Sequence, residues 1–314
     1  MKCFLCEGTT KLLGNFQCLK DFQTGLYYCF ECGSMFRHPM PNNDQISAYY
    51  SQVEFKSSKN IFLRRLKKCK EQAQYVEKCF NEFGIEKNTN ILDLGAGIGG
   101  LVYSLKQRGY MSLRGIEPRE IAVSYAKKSF NIDLIPGWID CAHLHCDPFP
   151  RVLLLSHVLE HLSAPGDFLN YLKKHFRGCY LWIEVPDGNF ESLEINGRVA
   201  WRLWLAQHLW SFTSKGMAKL IERQGFKILK IDNEIVYPFM AKERKMDLQI
   251  SLEYASFVDL WLNGGRLSGK KFVKITSNLL HYLLLKSKKN LFFTFNRLYI
   301  PDSPFNIRFW IKID

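Results

Sequence analysis

Apolar and polar positions alternate with two different periods along the middle of the chain. Short apolar runs, typical of buried strands, are separated by longer segments in which apolar residues recur every three or four positions, typical of helices. The pattern predicts strands at 91–94, 113–117, 132–135, 152–156, 179–185 and 226–231, and helices at 100–108, 119–129, 166–176 and 214–224. This alternation predicts an α/β fold in which helices cover both faces of a parallel sheet.

Two further elements flank this pattern. A helix beginning at Phe62 carries an apolar stripe on one face, and Gly84 is placed to end it. Residues 306–314 alternate apolar and polar side chains, which predicts a final strand. Residues 240–300 lie before that strand and form a predicted insertion, with helical runs near 250–262 and 272–287.

Composition adds an uneven charge. The 314 residues are 47% hydrophobic, enough for a substantial core, and carry a formal net charge of +13. Residues 56–87 hold nine Lys or Arg against four Glu, and residues 242–297 hold eleven against four acids. Such surfaces suit an acidic partner, such as a nucleotide-linked molecule, nucleic acid or an anionic membrane surface, although a solvated lysine-rich surface explains the pattern equally well.

The sequence contains no apolar run of membrane-spanning length and begins without an apolar signal region. We therefore expect a cytoplasmic protein whose ten cysteines are thiols or metal ligands.

Residues 90–100 contain the most informative motif, in which strand residues run directly into a glycine-rich turn. Gly95, Gly97 and Gly99 allow the backbone to approach a ligand before the next helix begins. The same spacing fits the dinucleotide-binding fingerprint, so the glycines leave NAD or FAD, or no ligand at all, as alternatives. Asp93 favours S-adenosylmethionine (SAM), because a carboxylate beside the turn repels a pyrophosphate and attracts the cationic amino group and sulfonium of SAM.

Glu117 ends the next predicted strand, 18 residues after Gly99, where a nucleotide-binding βαβ unit places the acid that holds a ribose. Together these motifs resemble those of the class I SAM-dependent methyltransferases. The resemblance implies a Rossmann-like, doubly wound sheet of seven strands whose last strand is antiparallel. The residues that we expect to contact the cofactor are Asp93, Gly95, Ala96, Gly97, Gly99, Glu117, Pro118, Asp140, Ser156 and His157.

The amino-terminal segment contains two Cys-x-x-Cys pairs, Cys3 with Cys6 and Cys29 with Cys32. Two such knuckles predict a closed, structural zinc site of four thiolates in a ribbon-like module over residues 1–45. A second group, Cys141, His143, His145 and Cys146, also contains metal-binding residue types. These residues need an irregular loop to converge, and a polar loop near the adenine end of the cofactor pocket is the alternative.

Polar segments follow the predicted fourth and fifth strands, where α/β sheets bind ligands. With the knuckles and the segment from His208 to Thr213, they resemble zinc-containing bacterial methyltransferases of sugar and polysaccharide biosynthesis, including sugar C-methyltransferases. The resemblance covers residues 1–235 and places His208 at the position of the catalytic base, with His161 matching another family histidine. Glu160 and Glu184 are predicted to be structural, whereas Tyr49 and Tyr50 are candidates to reach the active site.

The sequence departs from that family at two positions, since Gln207 replaces a glutamate and Leu205 replaces a tyrosine. Loss of a carboxylate beside His208 removes a group that raises its basicity and fixes its tautomer. Methylation of a sugar hydroxyl is therefore at least as well supported as methylation of carbon. A nucleic-acid methyltransferase and a non-catalytic scaffold are the alternatives, although the segment after the fourth strand lacks an Asp/Asn-Pro-Pro-aromatic run.

The predicted organisation is a zinc module over 1–45, a linker and basic helix over 46–90, and a SAM-dependent methyltransferase domain over 91–314.

Overall fold

The computed structural model describes residues 1–19, 22–52, 59–141, 147–188, 192–195, 198–201, 208–235 and 305–314. One compact unit contains Met1–Pro186, Leu205–Asn233 and Ile307–Asp314, and a second contains Asp187–Trp204 and Glu234–Asn306. The described part of the second unit includes an antiparallel hairpin of β9 (Ser192–Ile195) and β10 (Arg198–Trp201). The predicted insertion at 240–300 and its two helical runs lie outside the described residues. So do His143, His145 and Cys146 of the second cysteine and histidine group.

A seven-stranded mixed sheet forms the centre of the first unit, as predicted. Its spatial order is β12-β13-β8-β7-β4-β5-β6. These strands are β4 (Ile91–Leu94), β5 (Leu113–Glu117), β6 (Ile135–Pro136), β7 (Val152–Ser156), β8 (Tyr180–Pro186), β12 (Lys227–Ile235) and β13 (Phe305–Lys312). The pairs β4–β5, β4–β7, β5–β6 and β7–β8 are parallel.

The last strand runs antiparallel to β8, which confirms the prediction. The amide of Gly178 donates to the carbonyl of Ile313 at 2.7 Å, and the amide of Ile313 donates to the carbonyl of Cys179 at 3.0 Å. The end of β13 therefore lies beside the start of β8.

Helices cover the two faces of this sheet. They are α2 (Lys59–Glu82), α3 (Gly100–Lys106), α4 (Glu120–Phe130), α5 (Pro165–His175) and α6 (Ser214–Arg223), with a 3₁₀ turn at Leu159–His161. Alternate residues of β7 enter different buried clusters: Leu153 and Leu155 join one, whereas Val152 and Leu154 join the other. A strand buried on both faces has no polar side to alternate, which explains the continuous apolar runs in the sequence.

Two expectations about local structure are wrong. The strand expected at 132–135 is only the two-residue β6, whose register pairs Ile116 with Ile135 and Glu117 with Pro136. Pro136 has no N–H with which to extend the ladder beyond it. Part of the expected linker is instead the helix α1 (Asn43–Gln52). Its start is a reciprocal capping box, in which the amide of Gln45 donates to Asn42 Oδ1 at 2.8 Å and the amide of Asn42 donates to Gln45 Oε1 at 2.9 Å.

The amino-terminal segment forms a four-stranded antiparallel sheet with the order β1-β2-β3-β11. Its strands are β1 (Thr10–Cys18), β2 (Phe22–Cys29), β3 (Met35–His38) and β11 (Trp210–Ser211). The fourth strand comes from the segment after β8, so the cysteine-containing sheet is completed by residues of the methyltransferase-like part of the chain. The domain boundaries given above stay a prediction.

No helix in the described parts of the chain is both long enough and apolar enough to cross a membrane.

Candidate active site

The turn after β4 is built from glycines in the left-handed region of backbone space, with φ of +75° at Gly95, +58° at Gly97 and +74° at Gly99. A Cβ at Gly95 would lie 2.6 Å from a methyl group of Val158, so this glycine lets the turn after β7 pack against the glycine turn. A Cβ at Gly97 would meet no atom within 4 Å. The backbone at Gly97 therefore faces open space in which a ligand can approach it.

Two acidic side chains lie beside this turn, as the sequence predicts. Asp93 is buried at the end of β4, and burial, followed by the charge of Glu117, raises its pKa to about 7. Glu117 Oε2 accepts a hydrogen bond from the amide of Gly97 at 2.8 Å, and Oε1 accepts from Arg119 Nε at 2.6 Å. Glu117 thus holds the glycine turn while its remaining lone pairs can accept from a ribose hydroxyl.

The other predicted cofactor residues lie around the same edge of the sheet. Ala96 is in the turn itself and packs closely over Gly115, and Pro118 follows Glu117. Asp140 is exposed on a short turn after β6. Ser156, at the end of β7, accepts a hydrogen bond from Gln72 Nε2 at 2.9 Å.

His157 follows β7 with a φ of +53°, a conformation that is uncommon for a residue other than glycine. Its Nδ1 lies 3.3 Å from Glu160 Oε1, and its Nε2 lies 3.2 Å from Glu184 Oε1. Burial and the nearby Lys68 ammonium lower the pKa of His157, but the two carboxylates outweigh them and the net pKa is raised. His157 therefore links two buried acids rather than only lining the cofactor pocket.

Glu184 is fully buried in β8 and is compensated from several elements. Arg308 of β13 donates to its Oε2, and Gln72 of α2 donates to its Oε1. Burial alone raises the pKa of Glu184, but Arg308 and His157 lower it well below its usual range. A buried carboxylate with such partners stays ionised, and its loss would leave the Arg308 charge without compensation.

Two other histidines, His161 and His208, form a pair near Glu160. The rings of His161 and His208 meet edge to face with centroids 4.8 Å apart. Possible ligand atoms of Glu160, His161 and His208 all lie within 4.8 Å of one another. Glu160 is 1% exposed; burial raises its pKa, but the nearby rings of His157, His161 and His208 lower it to about 2.

The amino-terminal sheet positions His208. Arg37 of β3 donates from its Nε to the carbonyl of His208 at 2.9 Å and from its amide to the carbonyl of Leu209 at 3.0 Å. The amide of Leu209 donates to the carbonyl of Glu160 at 2.9 Å. The backbone at His208 is therefore fixed between the cysteine-containing sheet and the turn that carries Glu160.

The four predicted zinc ligands come together in the structure. Their sulfur atoms all lie within 4.8 Å of one another, with 3.9 Å between Cys3 and Cys32 and 3.4 Å between Cys6 and Cys29. A tetrahedral zinc ion with Zn–S bonds of about 2.3 Å needs sulfur atoms about 3.8 Å apart, so the donor set fits that ion. Cys18 is also buried but is not a member of this group.

Thr213 connects this cluster to α6. Its hydroxyl donates to the carbonyl of Cys32 and accepts from the amide of Gly216 at 3.0 Å, so one side chain caps the helix and holds the second knuckle. The amide of Thr213 also donates to Ser34 Oγ at 3.0 Å. This link gives a structural reason for the Phe-Thr pair that the sequence resemblance rests on.

The sequence model of a family described as a methyltransferase domain matches residues 63–231. The chain belongs to this family. It is a SAM-dependent methyltransferase.

Several solved structures are similar to the methyltransferase. The plantazolicin methyltransferase BamL, in complex with a triazolic desmethylPZN analog and SAH, matches at 16% identity and a TM-score of 0.44, with 87% of this chain and 92% of that chain covered. A SAM-dependent methyltransferase from Leishmania major matches at 13% identity and a TM-score of 0.45, covering 62% of this chain and 77% of that chain. The [4+2]-cyclase SpnF matches at 13% identity and a TM-score of 0.44, covering 76% and 80%. No curated protein sequence matches the chain.

Tyr50 of the methyltransferase lies between the cofactor acids and the histidine pair. Its ring centroid is 6.3 Å from that of His161 and 6.0 Å from the guanidinium carbon of Arg119. Burial raises the pKa of Tyr50, and to a lesser extent Arg119 lowers it, with a net rise. Burial also raises the pKa of Tyr49. Both phenols therefore stay protonated near neutral pH and suit hydrogen-bond donation better than proton abstraction.

Sequence reasoning missed several residues of this site. Glu160 and Glu184 were predicted to be structural, but both contact His157 at the edge of the sheet where the cofactor turn lies. Gln72 and Lys68 reach the same place from α2, and Arg308 reaches it from β13. Spacing in the sequence gives no signal for the contacts of Gln72, Lys68 and Arg308, because each joins residues at least 84 positions apart.

Proposed function

We propose that the enzyme transfers the methyl group of SAM to a hydroxyl or a carbon of a sugar acceptor, and that His208 accepts the proton that the acceptor loses. One observation supports this most strongly. The rings of His161 and His208 meet, the amide of His161 donates to the carbonyl of Val158 at 3.0 Å, and Val158 packs on the glycine turn predicted to hold SAM. An acceptor lying over these imidazoles is next to the cofactor, which is the arrangement a direct methyl transfer needs.

For a hydroxyl acceptor, the acceptor oxygen forms a bond to the methyl carbon, the bond from that carbon to sulfur breaks, and the sulfonium becomes a neutral thioether. The hydroxyl proton passes to His208. For a carbon acceptor, His208 removes the proton beside a keto group and the resulting enolate carbon attacks the methyl.

The sugar class rests on the resemblance of residues 1–235 to sugar and polysaccharide methyltransferases, and the net charge of +13 fits an acceptor that carries phosphate or a nucleotide. We further propose that Cys3, Cys6, Cys29 and Cys32 hold a structural zinc ion, which fits their sulfur spacing.

The test is His208→Ala, compared with His161→Ala, on nucleotide-linked sugars and keto-sugars. We expect turnover with His208→Ala to fall by about 10²–10⁴-fold while SAM affinity, measured by calorimetry, changes little. His161→Ala should reduce turnover less.

A keto-sugar incubated in deuterated water without SAM separates the two reactions. Carbon methylation predicts exchange of the proton beside the carbonyl by the wild type only, whereas hydroxyl methylation predicts exchange by neither protein. Full turnover by His208→Ala would exclude this residue as the base.

A further inference from the structure

Glu160 has an unusual environment for a carboxylate. It is 1% exposed, and neither of its oxygens accepts a hydrogen bond from any described residue. Its charged neighbours are imidazoles: His157 Nδ1 lies 3.3 Å and His161 Nε2 lies 3.8 Å from Oε1. A buried ionised carboxylate without donors is costly, so the imidazoles around it must supply the compensation.

His208 belongs to the same arrangement, because a ring nitrogen of His208 and an oxygen of Glu160 lie within 4.8 Å of each other. The two residues are 48 positions apart, and their segments are held together by the hydrogen bond from Leu209 to the Glu160 carbonyl. This bond holds the backbone of Glu160 close to that of the residue after His208.

We propose that Glu160 is the positioning residue of the proton-accepting site, in that its carboxylate orients His208, fixes its tautomer and stabilises its protonated form. This role rests on the proposed function of His208. Residue 207 is Gln where the resembled family has Glu. The turn after β7 provides a carboxylate in its place. Glu160 does not touch the acceptor in this role; it acts through the imidazole.

Other charged groups near His208 limit how far the Glu160 carboxylate can raise the proton affinity of the His208 imidazole. Arg37 of β3 donates to the His208 carbonyl, and the ammonium of Lys68 and the guanidinium of Arg308 lie on the far side of His157 and Glu184. These cations disfavour a further positive charge, whereas Glu160 favours it. The titratable groups that interact with Glu160 are His157, His161, His208 and Tyr50, and Tyr50 in turn interacts with Arg119, Tyr49 and Glu117.

The same three side chains can also be considered as metal ligands, since they offer two imidazoles and one carboxylate. A divalent ion would add two positive charges beside Arg37, Lys68 and Arg308. A proton on His208 adds only one, and elemental analysis of the protein distinguishes the two cases.

The test uses the full-length protein and no acceptor. Nitrogen-15 labelling of histidine and NMR titration give the titration midpoint of His208, which is assigned by comparison with His208→Ala. In the wild type we expect this midpoint above the ordinary histidine value of about 6.5, and in Glu160→Gln we expect it to fall by about one pH unit or more. Glu160→Asp keeps the charge and should restore part of the shift. Glu77→Gln, which removes a half-buried acid paired with Lys87 and Arg108, is the control and should leave the midpoint unchanged.

A kinetic comparison follows once an acceptor is known. Glu160→Gln should move the acidic limb of the kcat profile to lower pH with little change in KM for SAM, which a loss of packing alone would not do. The proposal is overturned if the wild-type midpoint lies at or below about 6.5, if it is equal in wild type and Glu160→Gln, or if elemental analysis finds a second metal ion that both Glu160→Gln and His208→Ala lose. The titration and the elemental analysis need no turnover. They can therefore disprove the role of Glu160 while His208 remains essential, and His208 can prove dispensable for turnover while Glu160 still shifts its titration midpoint.

Discussion

Asp93 shows how burial prepares a single side chain for a charged ligand. Its carboxyl group lies in the sheet at the end of β4, and burial together with Glu117 raises its pKa to about 7. The cationic amino group of SAM, placed beside Asp93, favours the ionised form and lowers this pKa. Cofactor binding therefore releases a proton at any pH where Asp93 is protonated in the free enzyme.

This linkage predicts that SAM affinity rises with pH. Because the pKa is raised in the free enzyme and lowered in the complex, the association constant should increase as pH rises from about 6 towards about 7.5 and then level off. Calorimetry in two buffers of different ionisation enthalpy measures the released proton. Asp93→Asn should bind more weakly and without this proton, and the same titrations with it correct for ionisation of SAM itself. A wild-type affinity that does not change with pH would contradict the assignment.

The glycines of the turn between β4 and α3 have different surroundings, and Gly97 has a close counterpart outside the turn. Gly97 and Gly84 share a left-handed backbone, with φ of +58° and +64°, and at both positions a Cβ would meet nothing within 4 Å. Gly84 ends α2 and is far from the cofactor turn in sequence, whereas Gly97 donates its amide to Glu117. The two glycines are therefore a matched pair that differs in proximity to the ligand.

Alanine at either position should lower the free energy of unfolding by about 1 kcal/mol, because both require a left-handed residue. Only Gly97→Ala should also weaken SAM binding, by tenfold or more, since its new methyl group projects into the space that the cofactor approaches. Denaturant unfolding and calorimetry measure the two effects separately. Equal SAM affinities for Gly97→Ala and Gly84→Ala would place the cofactor elsewhere.

On the scale of the whole molecule, the cysteine cluster and the histidine site are mechanically connected. Arg37 bonds to the His208 backbone, β3 pairs with β11, and Thr213 bonds to the Cys32 carbonyl. The cofactor turn has no such link among the contacts described above. Loss of the proposed zinc ion should therefore disturb the histidine site before the cofactor turn.

We expect about one zinc ion per chain and its release by Cys29→Ser, because four thiolates close a single site. The variant should lose the amino-terminal sheet and most turnover, since His208 loses its support, while SAM binding is retained. Cys18→Ser, at the buried cysteine outside the cluster, should keep the zinc. Elemental analysis measures the zinc content, and calorimetry measures SAM binding. A zinc-free wild type with an intact amino-terminal sheet would show that the metal is not required.

The parts of the fold that were predictable from sequence are those with local signals. Apolar runs placed β4, β5, β7 and β8 within one or two residues, and the glycine turn and Glu117 lie together as their spacing implied. The helix α1 also has a local signal, the Asn42-x-x-Gln45 capping box, within the segment whose polar composition predicts a linker.

The remaining features depend on contacts between distant segments. The neighbours of Glu160 include His208, and the partner of Glu184 is Arg308, 124 residues later. No spacing rule connects such pairs, so their roles emerge only once the chain has folded. The pairing of β11 with β3 is of the same kind.

That pairing has a consequence for synthesis of the protein. The ribosome completes β3 at His38 but reaches β11 only at Trp210, roughly 10–35 s later at about 5–20 residues per second. Throughout this interval the three strands β1, β2 and β3 lack β11, so the edge of β3 that β11 later covers is open and is a template for mispairing with other chains. Aggregation during translation, rather than instability of the finished enzyme, is therefore the step at which slow elongation or crowded polysomes should reduce its yield.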